Sequence, residues 1–168
     1  MKKNVFITAP EIFRDEEYYK PKEILEKAGT EVITASVKIG DLIGRFGYKT
    51  NSSILISDIV STNFDAIVYV GGGGASIFFE NKDALRLANE FFKQNKPVAA
   101  ICIAGVILAN SGILKGKKAT VYVDGKEALL RGGADYTSAS LEVDKNIITA
   151  NGPDAAEDFG KAILNALQ

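Results

Sequence analysis

Short, nearly continuous apolar runs recur along the chain with helical patterns between them, and this alternation constrains the fold more than any other feature of the sequence. Asn4-Val5-Phe6-Ile7-Thr8, Glu31-Val32-Ile33-Thr34-Ala35, Asp65-Ala66-Ile67-Val68-Tyr69-Val70 and Pro97-Val98-Ala99-Ala100-Ile101 read as strands. Glu16 to Ala28 reads as a helix with Ile24 and Leu25 inward, Pro21 near its first turn and Gly29 as its stop. Lys82 to Gln94 reads as a second helix with Leu85, Ala88, Phe91 and Phe92 at helical spacing. Further on come a helix over Ile103 to Asn110, a strand over Lys118 to Tyr122 and a short helix near Lys126–Arg131. A hairpin turns at Asp144-Lys145, and a final helix starts at Pro153 and reaches Leu167. Gly40 to Ser53 reads as irregular. Strands apolar on both sides belong in a mostly parallel sheet with helices on both faces, an α/β three-layer sandwich. With no repeat or linker, one domain over residues 1–168 is expected.

Charge and residue counts then exclude several functions. Twenty Lys and Arg against 21 Asp and Glu leave a net charge of −1, without the basic excess of a nucleic-acid binder. No apolar run approaches the ~20 residues of a membrane span. The N-terminus passes directly into a strand-like run too short for a signal peptide, so a cytoplasmic protein is expected. There is no His, which removes Ser-His and Cys-His triads and His-ligated metals, and no metal or cofactor is expected. Cys102 is the single Cys and has no disulfide partner within the chain.

In a parallel sheet, sites gather at the carboxyl ends of the strands. Three features fall there. Cys102 stands between a strand and a helix, with the small residues Ala100, Ala104 and Gly105 around it, in the manner of a nucleophile elbow. The helix N-terminus predicts a thiol pKa below the free value of ~8.5. Gly71-Gly72-Gly73-Gly74 follows another strand; it fits neither G-x-x-x-x-G-K-[ST] nor G-x-G-x-x-G, and suits an oxyanion loop better than a phosphate loop. The loop Ala9–Glu17 carries Glu11, Asp15, Glu16 and Glu17, which suit a helix start, although one of them could turn toward the thiol.

Together these segments resemble the ThiJ/PfpI (DJ-one) superfamily. The stretch Pro97 to Thr120, PVAAICIAGVILANSGILKGKKAT, is similar to that family's elbow A-I-C-x-x-P followed by L-L-A-x-x-G-L-L-K-G-x-x-A-T. Val70-Gly71-Gly72-Gly73 resembles its strand ending in P-G-G, Glu17-Tyr18-Tyr19-Lys20-Pro21 its acidic E-x-x-x-P, and Thr149-Ala150-Asn151-Gly152-Pro153 its T-x-x-x-P. The resemblance implies a flavodoxin-like fold and Cys102 as the reactive cysteine. It implies Glu17 as its protonated carboxyl partner, Glu16 being the alternative one residue away. It also implies Gly72, Gly73 and Ile103 as the groups that hold anionic oxygens.

The resemblance further implies a small stress-response protein, a homodimer or larger homo-oligomer, that meets a small carbonyl substrate or an oxidant. Two activities fit: cofactor-free glyoxalase or deglycase chemistry on reactive dicarbonyls, or redox sensing and chaperone action through Cys102 oxidation. Ile103 stands where protease-like members carry a His, which disfavours a cysteine protease or amidase, and Gly105 stands where members usually carry Pro. Two negative charges side by side keep one proton between them, and the proton is expected on Glu17, with a pKa above ~4.3.

Overall fold

A computed structural model describes residues 1–168. The chain runs through β1 (Lys3–Ile7), β2 (Glu11–Phe13), α1 (Asp15–Lys27), β3 (Glu31–Ser36), β4 (Gly40–Gly44), β5 (Lys49–Ser52), β6 (Ile54–Leu55) and β7 (Ala66–Tyr69). It continues through α2 (Lys82–Lys93), β8 (Val98–Ile101), α3 (Gly105–Ser111), β9 (Lys118–Ala119), α4 (Lys126–Arg131), β10 (Asp135–Tyr136), β11 (Leu141–Asp144), β12 (Ile147–Ala150) and α5 (Ala156–Ala166).

The central sheet has seven strands in the order β11-β12-β8-β7-β1-β3-β6. All neighbours are parallel except the β11–β12 hairpin. The order β3-β1-β7-β8-β12 is the flavodoxin-like order 2-1-3-4-5, and the chain reverses direction across the sheet between β1 and β7. The segments leaving these two strands therefore diverge and open a crevice at their carboxyl ends. No helix is long and apolar enough to cross a membrane.

Two cores flank the sheet because successive strand side chains point to opposite faces. Val5 and Ile7 of β1, Ile67 and Tyr69 of β7 and Val98 and Ala100 of β8 pack with Leu87, Phe91, Ile107 and Leu108 of α2 and α3. Phe6, Val68, Ala99 and Ile101 face the other way, toward Tyr18 and Leu25 of α1 and Phe159 and Ile163 of α5. The α1–α5 contact is close: a side chain at Gly160 would meet the Pro21 Cα at 2.8 Å.

Three expectations need correction. Gly40 to Ser53 is not irregular. β4 and β5 form an antiparallel hairpin, and β2 joins it in a small side sheet. The predicted strand Lys118 to Tyr122 stops at Ala119, because Thr120 and Tyr122 turn to bond elsewhere, the Tyr122 N–H donating to the Cys102 carbonyl at 3.3 Å. Pro21 lies inside α1 rather than in its first turn, since the helix begins at Asp15, so the Glu17 carbonyl forgoes its usual bond to residue 21.

Candidate active site

Cys102 ends β8 and begins a single 3-10 turn that leads into α3. Its φ of +59° lies in the left-handed region, which a non-glycine residue occupies at a cost and which an elbow imposes on its tip. The thiol is partly exposed. The N–H groups of Ile103 and Gly72 point at the sulfur. Gly105 opens α3 against Val121, whose Cγ2 would meet an added Cβ at 2.9 Å, so the small residue here answers to packing rather than to a loosened elbow.

The first turn of α1 sends its three acids to three places. Asp15 is buried and accepts the N–H of Phe46 at 3.0 Å and of Tyr48 at 2.9 Å. Glu16 lies at the surface and bonds Arg14 Nε at 2.6 Å. Glu17 has no exposed surface, and neither of its carboxyl oxygens has a hydrogen bond of good geometry. Its nearest polar neighbours are the Cys102 thiol and the Gly71 N–H. The structure thus brings Glu17 rather than Glu16 beside Cys102.

The glycine run is dictated by contact. An added Cβ at Gly71 would overlap the Glu17 carboxyl and lie 2.8 Å from the Cys102 Cβ. At Gly72, where φ is +98°, an added Cβ would run into the backbone of residues 12–14 and lie 2.7 Å from the Ile12 carbonyl oxygen. Gly74 would run into the Glu11 carbonyl. Gly73 alone has room, its nearest neighbour being Ile12 Cγ2 at 3.6 Å. The Arg14 N–H, donating to the Gly71 carbonyl at 3.0 Å, ties the start of α1 to this loop.

Burial dominates the electrostatics of the pair. Removing the Glu17 carboxyl from water pushes its pKa from 4.5 up to about 7, against the pull of Cys102 and Arg14. Burial, and then the neighbouring Glu17 charge, pushes the Cys102 thiol from 9.0 up to about 12, although the Ile103 and Gly72 N–H groups favour the thiolate. The expectation of a thiol lowered by the helix start is therefore corrected: burial of the sulfur, with the expected Glu17 charge beside it, outweighs the N–H groups. The pair gives up its first proton near neutral pH, from Glu17, and the second proton stays on the sulfur, so the expectation that a single shared proton rests on Glu17 is corrected as well.

A cavity of about 320 Å³ opens over the pair. Glu17, Cys102, Gly72, Gly73 and Ile103 line it, and so do Arg14, Arg45, Tyr122, Asp124 and Pro153. A wider groove of about 940 Å³ shares Ile103 and Asp124 with it but contains neither Cys102 nor Glu17. Sequence reasoning missed Arg14, Arg45, Tyr122 and Asp124. The one signal for Arg45 was the turn sequence Gly44-Arg45-Phe46-Gly47, glycine at both ends. Phe13, which looks exposed in the sequence, is fully buried, whereas Phe46 is 64% exposed. No three His, Cys, Asp or Glu side chains are grouped so as to hold a metal ion.

A flavodoxin-like sheet with a cysteine at a strained strand-to-helix corner and a buried carboxyl beside it defines the class. The profile of the DJ-1/PfpI family matches residues 2–166, and the chain belongs to that family. It is 40% identical to the uncharacterized protein MJ0967 of Methanocaldococcus jannaschii, over 99% of this chain and 82% of that one. It is 32% identical to Deglycase PfpI of Pyrococcus furiosus, over 90% of each chain. The crystal structure of a ThiJ/PfpI domain protein from Brachyspira murdochii superposes with a TM-score of 0.96, at 34% identity, over 98% of this chain and 95% of that one.

Proposed function

We propose that the chain is a cytoplasmic, cofactor-free enzyme acting on small reactive dicarbonyls in the manner of a glyoxalase or deglycase. Cys102 is the nucleophile and Glu17 the acid and base. One observation carries this reading: a fully buried carboxyl without hydrogen bonds, its pKa raised to about 7, beside an elbow cysteine. A base serves best when its pKa lies near the working pH, so Glu17 can fill the place of the absent His. The similarity to a relative named a deglycase supports the substrate class.

The steps balance without another reagent than water. Ionised Glu17 accepts the thiol proton while the sulfur bonds the aldehyde carbon. The C=O electron pair moves to oxygen, facing the N–H groups of Gly72 and Ile103, with Gly73 beside them. Glu17 returns the proton to that oxygen and gives a hemithioacetal. It then takes the C1 hydrogen as a proton to leave an enediol and delivers it to C2, while the C1 hydroxyl proton passes to the C2 oxygen, which turns the hemithioacetal into a thioester. Water cleaves the thioester to a 2-hydroxy acid and restores the thiol.

Methylglyoxal turnover tests this. Cys102→Ser abolishes it, and Glu17→Gln lowers it about 10²–10⁴-fold. The second reading, a redox sensor, is favoured by the two N–H groups aimed at the sulfur, which suit an oxidised S–O⁻. In that case no turnover occurs, and Glu17→Gln still accumulates oxidised Cys102 by mass spectrometry. We propose also a homodimer or larger homo-oligomer, supported by the exposed Val37, Ile39 and Ile43 before and on β4. A monomer by light scattering at micromolar concentration overturns that.

A further inference from the structure

The geometry points to an anionic substrate: Arg14 and Arg45 form a receptor for a carboxylate at the mouth of the Cys102 cavity, so the carbonyl compound taken there carries a carboxylate on a short arm. The inference deepens the dicarbonyl reading, although the arginine pair stands on its own observations.

Two guanidinium groups line one small cavity. Arg14 gives only its Nε to Glu16, and its two terminal nitrogens meet no acceptor in the protein. The Arg45 guanidinium has no ion pair and no side-chain hydrogen bond; its backbone N–H alone is engaged, donating to the Phe13 carbonyl at 2.9 Å. Both guanidinium carbons lie over one ring, Phe46, at 5.0 and 5.6 Å from its centroid. Two like charges gathered on one ring with a single carboxylate between them leave an unmet demand for an anion. The Arg45 side chain is exposed and that of Arg14 half-buried, but the backbone that carries each is held in place. Arg14 is the residue that opens α1, and the turn bearing Arg45 and Phe46 is fastened by the buried Asp15.

The opposing charges in the cavity are Asp124 and Glu17. Asp124 comes from the segment after Tyr122 and also borders the wider groove. Glu17 lies at the floor, and burial pushes its carboxyl up to about 7. Arg14 and Cys102 line the same cavity of about 320 Å³, so an anion on Arg14 sits within a small molecule's length of the sulfur. A 2-oxoaldehyde with a carboxylate arm then places its aldehyde carbon at Cys102 and its oxygen at the Gly72 and Ile103 N–H groups. Its carboxylate meets the free nitrogens of Arg14 and Arg45, whose planar forks match it.

The test uses the single cysteine as a reporter. Cys102 is alkylated with iodoacetate and with its neutral counterpart iodoacetamide, followed by intact mass. Relative to glutathione in the same buffer, the iodoacetate-to-iodoacetamide rate ratio is expected to rise about tenfold and to shrink at high salt. Arg45→Met and Arg14→Met each lower the ratio about three- to tenfold, and Arg45→Lys lies between, keeping charge without the fork. The iodoacetamide rate shows within each variant that the elbow is intact. A wild-type ratio equal to that of glutathione, or one unmoved by both Met variants, overturns the proposal. In the second arm, kcat/KM for 4,5-dioxopentanoate is compared with that for its methyl ester, and the acid is expected to lead about tenfold through KM. If neither compound turns over but the alkylation preference holds, the dicarbonyl reading fails and the anion site stands. If both turn over equally and the ratio matches glutathione, the anion site fails and the dicarbonyl reading stands.

Discussion

The floor and the rim of the Cys102 cavity are built by different means. At the floor, glycine backbone fills the space: an added Cβ at Gly71 would enter the Glu17 carboxyl and Cys102, and one at Gly72 would enter the backbone of residues 12–14. At the rim, side chains do the holding. One buried carboxylate, Asp15, fastens the turn that carries Arg45 and Phe46, and most of Phe46 faces water. Contact between backbones tolerates no added atom, whereas a rim held by a few hydrogen bonds can be retuned without disturbing the chemistry beneath it. The difference assigns bond making to the floor and choice of substrate to the rim.

Substitutions in the glycine run put the greatest strain on this division. Gly71→Ala is expected to abolish turnover and to slow alkylation of Cys102 at least 100-fold, because the methyl group enters the space of the Glu17 carboxyl. Gly73→Ala, two residues away, meets only Ile12 Cγ2 at 3.6 Å and is expected to keep turnover within about threefold. Steady-state kinetics and alkylation rates of the two variants check this. Equal losses would mean that the run acts as a flexible loop and not as a fitted floor.

The next largest effect is a dependence on pH. The folded chain holds the Glu17 proton more tightly than the unfolded chain does, at about 7 against 4.5. The stability this contributes is complete below pH 4.5 and is lost as pH rises through about 7. Relative to Glu17→Gln, the wild type should therefore weaken by roughly 3 kcal/mol between pH 4.5 and pH 8. Denaturant midpoints of both proteins across that range measure it. Iodoacetamide alkylation of the wild type should also rise with a midpoint near 7, and that step should vanish in Glu17→Gln. A wild-type rate that climbs only above pH 9 would show that Glu17 does not take the thiol proton.

The floor was legible in the sequence and the rim was not, for a physical reason. β1, β7 and β8 are buried on both faces, so their residues had to be apolar throughout, and such runs stand out. Cys102 was readable because an elbow imposes local rules on its neighbours, whereas Glu17 was singled out from Glu11, Asp15 and Glu16 only by the family resemblance, since a helix start suits all four acids. Arg45 rides on a hairpin of two short strands rich in Gly, Lys, Asn and Ser, and nothing in that composition distinguishes a strand from a loop. Arg14 opens its helix without a capping side chain, so no cap motif marks it. The thiol pKa was misjudged because a helix N-terminus is visible in sequence and the depth at which the sulfur is buried is not.

Asp15→Asn separates rim from floor at a smaller scale. The amide keeps one acceptor but turns an N–H donor toward the Phe46 or Tyr48 N–H, costing roughly 1–3 kcal/mol. The turn loosens, and the iodoacetate preference should fall about threefold as Arg45 loses its position. The alkylation midpoint near 7 should not move, because Asp15 belongs to the rim and not to the floor. A shifted midpoint would show that the two regions are coupled through α1.

The smallest effect concerns Ile12, where rim and floor meet. It stands in β2 at φ +58°, a conformation that a β-branched residue adopts at a cost of roughly 1–2 kcal/mol. The β2 register shifts at this residue, and its side chain is 52% exposed, so little packing offsets that cost. Asn tolerates the left-handed region because its short amide bonds its own backbone there. Ile12→Asn is therefore expected to stabilise the chain by about 1 kcal/mol, a rise in Tm of about 2–4 °C. Turnover and the iodoacetate ratio should both stay within twofold of wild type, since the Gly72 contact involves only the Ile12 backbone. Thermal melts and one kinetic assay decide it. A lower Tm would show that the Ile12 side chain, through its Cγ2 against Gly73, holds the glycine run in place and belongs to the floor.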